Sequence, residues 1–274
     1  MIPLREAIRA LRAKKSLGQN FLCDPHILQR IVESAAPLEN HAVIEIGPGP
    51  GGLTREIIKT PCRELILIEQ DERCLPFLEV LRIHFKGRFS LLNQDALTVS
   101  LHTLGDPPRK VIANLPYNVS VPLLIKMLEY MDDFESLTLM FQKEVAERLT
   151  AKPSTPNYGR LSVMCQWKAK VQKLFDLPPG AFTPSPKVTS TVLHLTPRFP
   201  REDISWAVLE KVTKAAFSHR RKMLRSSLKS LTLSPLTLLE KTHINPESRA
   251  ETLTVQDFCH LAQEYDKLIP TMKL

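Results

Sequence analysis

Four consecutive residues, Asn114, Leu115, Pro116 and Tyr117, close an apolar run that begins at Lys110. The Asn114 side-chain amide offers a neutral oxygen acceptor. Leu115 precedes a proline and is held extended, and Pro116 has no N–H with which to continue a ladder. Together they are expected to turn the Leu115 carbonyl outward as a second acceptor. Tyr117 adds an aromatic face, on which a base stacks with about 1–3 kcal/mol. Two acceptors beside a stacking face suit the exocyclic amine of adenine. That nitrogen is a poor nucleophile because its lone pair is delocalised into the ring. Fixed acceptors on its N–H groups favour a more tetrahedral nitrogen, with the lone pair aimed at an electrophile. This is catalysis by positioning and electrostatic preorganisation. The competing reading is a strand-ending turn with a core tyrosine.

A second set surrounds the stretch GPGPGG, which holds Gly47, Gly49, Gly51 and Gly52 out of nine glycines in the chain. Glycines between an apolar run and a helical pattern let the backbone approach a ligand at a helix N-terminus. Glu69 ends the next apolar run about 20 residues on, where an acid binds ribose hydroxyls. This much fits NAD or S-adenosyl-L-methionine. Glu45 stands two residues before the first glycine, giving the E-x-G-x-G loop of S-adenosylmethionine enzymes. Asp95, in NQDAL, is suited to accept from an adenine amino group. Asn114 to Tyr117 have no evident use in hydride transfer. S-Adenosyl-L-methionine is therefore the expected cofactor. Phe182 lies in a loop stiffened by Pro179, Pro184 and Pro186. It is a candidate to close the other face of an extruded base against Tyr117; the alternative is a phenylalanine that plugs the core.

Positioning these residues takes a sheet. The runs at 42–47, 64–70, 89–96, 110–114 and 136–142 are short and rich in Ile, Val and Leu, as strands buried on both faces require. Helical patterns separate them: one opens at Asp24-Pro25, and others run over 53–59, 73–84 and 122–131. Alternation of this kind predicts right-handed βαβ units and a mostly parallel α/β sheet. The segment 158–169 reads as a helix. The runs 170–177 and 190–197 read as strands of an antiparallel hairpin. Prolines near 198 mark a boundary. Beyond it Val208, Val212, Ala216, Leu224, Leu228 and Leu231 follow helical spacing, so 199–274 is predicted to be a small all-α domain.

Charge points to the partner. The net charge is +8 over 274 residues, and the excess is local. Residues 1–20 carry Arg5, Arg9, Arg12, Lys14 and Lys15 against the single acid Glu6. Residues 211–229 carry Lys211, Lys214, Arg220, Arg221, Lys222, Arg225 and Lys229 with no acid. Such clusters favour a polyanion, although a solvated helix face is the plain alternative. If 211–225 is one helix, Lys211, Lys214, Ser218, Arg221 and Arg225 share a face. The five cysteines form no CxxC pair, which fits a reducing compartment. The eight histidines lack metal-ligand spacing with Cys or acids, so no metal is expected. No apolar run reaches the roughly 18 residues that would span a membrane. The N-terminus lacks the apolar core and cleavage site of a signal peptide.

These stretches resemble the ribosomal RNA adenine dimethyltransferases, and among them the bacterial small-subunit group. The resemblance is carried by KKSLGQNFL (14–22), EIGPGPGGLT (45–54), IEQD (68–71), NQDAL (93–97), NLPYN (114–118), FQKEVAERL (141–149), YGRLSV (158–163), FTPSPKVTS (182–190) and AFSHRRKMLRSSL (216–228). It implies a Rossmann-like methyltransferase domain over 1–198, with an N-terminal cofactor lid over 1–24, and a helical RNA-binding domain over 199–274. It implies cofactor contacts from Asn20, Leu22, Gly47, Glu69, Asp95 and Asn114, and catalysis by Asn114, Leu115, Pro116, Tyr117 and Phe182. RNA contacts would come from Lys211, Lys214, Arg220, Arg221, Lys222 and Arg225. The implied activity is dimethylation of two adjacent adenosines in a hairpin loop of small-subunit rRNA, linked to ribosome biogenesis. The partner would be that rRNA or a pre-small-subunit particle, met by a cytoplasmic monomer. The alternatives are a large-subunit methyltransferase of the antibiotic-resistance type, or an RNA-binding assembly factor whose catalysis is secondary.

Overall fold

The apolar runs become strands in a computed structural model that describes residues 2–14, 17–199, 202–219, 221–232 and 234–268. In chain order the strands are β1 (Phe21–Leu22), β2 (Ala42–Ile46), β3 (Glu64–Ile68), β4 (Arg88–Leu92), β5 (Arg109–Asn114), β6 (Ser136–Gln142), β7 (Ala169–Leu177), β8 (Phe182–Thr183) and β9 (Ser190–Pro197). Seven of them make one sheet in the order β4-β3-β2-β5-β6-β9-β7. β2 pairs in parallel with β3 and β5, β3 with β4, and β5 with β6. β9 runs antiparallel to β6. Every residue of β2 and β3 is buried, because helices cover both faces of a parallel sheet. The order places β3 and β4 on one side of β2 and β5 and β6 on the other. Ligands bind at such a reversal, outside the carboxyl ends of the strands.

The helices of this part are α1 (Leu4–Leu11), α2 (Pro25–Glu33), α3 (Gly52–Ile57), α4 (Leu75–Arg82) and α5 (Ser120–Glu129). Asp24 caps α2 as its sequence predicts, accepting from the N–H groups of His26 at 2.9 Å and Ile27 at 3.4 Å. Leu28 and Ile31 of α2, Ile57 of α3 and Leu78 of α4 join Val43, Leu65 and Leu67 in one apolar core. β1 and β8 form a separate antiparallel ribbon, Phe21 opposite Thr183 and Leu22 opposite Phe182. β4 stops at Leu92, so Asp95 lies on the loop beyond the strand rather than within the expected 89–96 run.

Contacts divide the chain into two compact units, residues 1–146 with 170–197, and residues 147–169 with 198–274. α6 (Lys143–Leu149) spans the first passage between them, and α7 (Arg160–Lys168) belongs to the second unit. There Val163, Met164 and Trp167 of α7 share a core with α8 (Trp206–Ala216), α9 (Leu224–Ser227), α10 (Pro235–Lys241) and α11 (Val255–Leu268). Residues 147–169 therefore sit with the helical unit, whereas the sequence drew one boundary at 198.

The expected helical face over 211–225 does not form. α8 ends at Ala216, and a 3-10 turn follows over Phe217–His219. Met223 is extended and bridges Arg249, and the Leu224 N–H donates to the Ser248 carbonyl at 2.8 Å. This turn is what lets Leu224 and Leu228 enter the core fully buried. Among the described residues no helix is long and apolar enough to cross a membrane.

Candidate active site

A cleft of about 700 Å³ opens beyond the carboxyl ends of β2, β3 and β5. Of the residues singled out from sequence, Asn20, Gly47, Glu69, Asp95, Asn114, Leu115, Pro116 and Tyr117 all line it. Residues separated by up to 97 positions are thus brought together.

The loop after β2 needs its glycines. Gly47, Gly49 and Gly51 have φ of +65°, +57° and +85°, a region that L side chains rarely adopt. At Gly49 a Cβ would also stand 2.7 Å from the Phe21 ring. Phe21, in the segment expected to act as a lid, therefore lies directly on the loop. Below it, Glu69 is only 5% exposed. Its Oε2 accepts the Gly49 N–H at 2.9 Å and its Oε1 the Asp71 N–H at 2.8 Å. Burial raises the Glu69 carboxyl above its ordinary range, and the backbone donors of Asp71 and Gly49 oppose this. Each oxygen keeps a second lone pair, so Glu69 clamps the loop and can still accept hydroxyl donors. Asp95 is exposed on the cleft wall, with Oδ1 on the Leu97 N–H at 2.9 Å.

Asn114 ends β5. Its Nδ2 donates to the Asn20 carbonyl at 3.0 Å, so the lid fixes the amide's orientation. Among the described residues Oδ1 receives no hydrogen bond, which leaves it as an acceptor on the cleft. Tyr117 is half-buried, and its hydroxyl lies 2.6 Å from Ser190 Oγ on β9. Burial pushes the Tyr117 phenol above its ordinary value, with the Ser190 hydrogen bond opposing. The ring is therefore neutral at physiological pH and its plane is anchored.

Two expected residues are placed differently. Leu22 lies in an adjoining cavity of about 320 Å³, with Glu45, Gly47 and Asn114. Phe182 is 4% exposed, faces Leu22 across the ribbon and packs in the core. It does not line the cleft, so the sandwich with Tyr117 is absent from this arrangement; the core-plugging alternative describes its position. Lys211, Lys214, Arg221, Lys222 and Arg225 are all exposed in the second unit. Arg225 lies 3.6 Å from Glu247, and Arg220 lies outside the described residues.

Sequence reasoning missed several supporting groups. Ser190 carried no signal of its own beyond closing FTPSPKVTS. Asp71, 4% exposed, accepts from Gln19 Nε2 at 2.7 Å and from Arg73 Nε and Nη2 at 2.8 and 2.6 Å. Arg73 Nη1 in turn donates to the Leu11 carbonyl at 2.7 Å. The lid is thereby latched to the end of β3. The Arg73 guanidinium is the main reason the Asp71 carboxyl is held down to about 2. Glu45, which the sequence did mark beside the glycine loop, is buried beneath it with Thr54 Oγ1 donating at 2.7 Å. Burial pushes its carboxyl up to about 8, against the Thr54 hydrogen bond and with a further push from Glu69.

Residues 10–267 match the family described as Ribosomal RNA adenine dimethylase. The chain is 51% identical over 265 residues to the Ribosomal RNA small subunit methyltransferase A of Rhizobium meliloti (strain 1021), covering 95% of this chain and 96% of that protein. A dimethyladenosine transferase from Plasmodium falciparum superposes with a TM-score of 0.77 at 26% identity, covering 90% of this chain and 98% of that one. The 23S rRNA methyltransferase ErmE shares the fold, with a TM-score of 0.65 at 24% identity over 90% of this chain and 100% of that one. The chain belongs to the ribosomal RNA adenine dimethylase family.

Proposed function

We propose that the chain uses S-adenosyl-L-methionine to dimethylate the exocyclic amines of two adjacent adenosines in a hairpin loop of small-subunit rRNA. It acts as a cytoplasmic monomer during ribosome biogenesis, on the rRNA or a pre-small-subunit particle. The observation that carries this reading is the Asn114 amide, tied through Nδ2 to the Asn20 carbonyl at 3.0 Å, with its oxygen left to the cleft that Tyr117 also lines. The name of the half-identical Rhizobium protein favours the small subunit. The likeness to the 23S enzyme is one of fold.

The cleft residues fit the cofactor. Glu69, with lone pairs beyond its two backbone donors, suits ribose hydroxyls, and Asp95 suits an adenine amino group. The loop at Gly47 brings backbone without side chain to the methionine end. When bound, S-adenosyl-L-methionine supplies an electrophilic methyl on a positively charged sulfur. Asn114 Oδ1 and the Leu115 carbonyl accept the two amine N–H groups and aim the nitrogen lone pair. The neutral Tyr117 ring stacks on the base, and the Phe21 lid excludes water. The amine becomes acidic only once methylated, so its proton leaves to solvent without a prior strong base. One N–H then remains for the second transfer, and one of the two acceptors must tolerate a methyl group beside it.

Labelled methyl transfer to small-subunit particles lacking the modification, followed by nucleoside mapping, tests this. Label in two adjacent adenosines is expected; label confined to large-subunit RNA would overturn it. Asn114→Ala should keep cofactor binding and lose about 100-fold or more in turnover, the scale of removing one preorganised hydrogen-bonding group. Near-normal turnover would remove Asn114 from the mechanism.

A further inference from the structure

The first unit carries a second concavity outside the cleft. It is a groove of about 810 Å³ between α1 and the segment 180–183, lined by Arg5, Arg9, Cys23, Asp24, Gly180 and Thr183 among others. α1 is seated by Ala7, Ile8 and Leu11, which are buried. That seating holds Arg5 and Arg9, four residues apart, on one exposed flank. Among the described residues neither guanidinium has an ion-pair or hydrogen-bond partner. The acid on the groove, Asp24, already holds the N–H groups of His26 and Ile27 on Oδ1 as the cap of α2. Two unpaired guanidinium groups one helical turn apart match phosphate oxygens in charge and in fork geometry.

The β1–β8 ribbon joins groove to cleft. Phe21 lines the cleft, and Cys23, two residues further, lines the groove. Thr183, the register partner of Phe21, lies on the groove side. Two extended residues span only about 7 Å, so a strand that enters the cleft passes beside the groove. We propose that this groove takes backbone phosphates of the RNA strand that flanks the target adenosine. The methyltransferase unit then carries an RNA contact of its own, separate from the basic helices of the second unit. The inference rests on the rRNA reading above and extends it.

The test measures binding of a labelled small-subunit hairpin-loop RNA by the full chain across a salt series, with methyl transfer to small-subunit particles in parallel. The double variant Arg5→Ala/Arg9→Ala should bind more weakly. Its log–log salt slope should shrink by about 1.4, or roughly 0.7 for each lost single-strand phosphate contact. Its affinity for S-adenosyl-L-methionine and its melting temperature should match the parent's. Arg5→Lys/Arg9→Lys should keep most of the slope. Arg82→Ala, which removes one guanidinium from α4 in the same unit, should leave it unchanged. An unchanged slope in the double alanine variant, or an equal loss in Arg82→Ala, overturns the groove. Transfer by the parent together with an unchanged variant slope rejects the groove and keeps the function. A groove effect on binding without any transfer by the parent rejects the function and keeps the groove. No salt-sensitive RNA binding by the parent rejects both.

Discussion

The stacking proposed for Tyr117 requires that its ring stay put, and a single 2.6 Å contact to Ser190 holds the hydroxyl end. Ser190→Ala removes that partner, and a lost hydrogen bond of this kind costs about 1 kcal/mol. The expected result is a fall of about fivefold in kcat/KM for RNA with cofactor affinity unchanged, and recovery in Ser190→Thr. Equal loss in both variants would mean packing rather than positioning. Asn114 and Tyr117 were legible in the sequence because they sit in one tetrapeptide at a strand end. Ser190 was not, because it meets Tyr117 from 73 residues away, and no local pattern marks a serine for that contact. Phe182 misled for a related reason: prolines stiffen its loop, but the Leu22 register across the ribbon turns the ring inward. Glu45 makes a pH prediction. Its carboxyl sits at about 8 in the folded chain against an ordinary 4.5, so the folded state binds the extra proton. Stability from this group is full below about 4.5, declines as pH rises through that window, and is flat above about 8. Glu45→Gln removes the titration. Its melting temperature should fall less than the parent's between pH 5 and 8; parallel curves would show that Glu45 is not the titrating group.

At the scale of elements, the N-terminal lid expected over 1–24 is the part that the sequence described least. The strands were legible because a parallel sheet covered on both faces demands unbroken apolar runs, and β2 and β3 are buried at every position. The latch on the lid is polar and spread over three segments: Gln19, Asp71 with Arg73, and the Leu11 carbonyl at the end of α1. IEQD contains Asp71 but says nothing of where its carboxylate turns. Asp71→Asn should loosen the lid without unfolding the sheet, weakening cofactor binding and exposing 12–20 to limited proteolysis. Unchanged cleavage would break the link between latch and lid. The carboxyl is held at about 2, below its ordinary 3.8. The latch is therefore at full strength above about 4 and lost as pH falls through about 2. Gly49→Ala attacks the lid from the other side. The new Cβ would meet Phe21 at 2.7 Å, and φ of +57° costs a non-glycine residue about 1–2 kcal/mol. Cofactor affinity, read by calorimetry, should drop about tenfold, while the far-ultraviolet circular dichroism stays that of the parent.

Across the whole molecule the two units obey different rules of legibility. The helical character of 199–274 followed from its apolar spacing, and Val212, Leu224 and Leu228 are indeed its core. That 147–169 joins it could not be read, because the apolar residues of α7 suit either of two cores and only the chain path decides. The excess charge of +8 was legible in amount and cluster but not in shape. One helical face was expected over 211–225, whereas α8, a turn and α9 carry the cations in separate pieces. Broken into pieces, the cluster no longer presents its cations equally. Arg221 is exposed with no ion pair among the described residues, while Arg225 approaches Glu247 at 3.6 Å. Both members of that pair are about half or more exposed, so their attraction is worth little and Arg225 can exchange it for a phosphate. Arg221→Ala/Arg225→Ala should therefore weaken RNA binding and lower the salt slope by about 1.4, with cofactor affinity unchanged. Glu247→Gln should act the other way, tightening RNA binding slightly by releasing Arg225. If the arginine variants change neither affinity nor slope, the positive charge of this unit is a solvated surface, and the RNA must be held elsewhere.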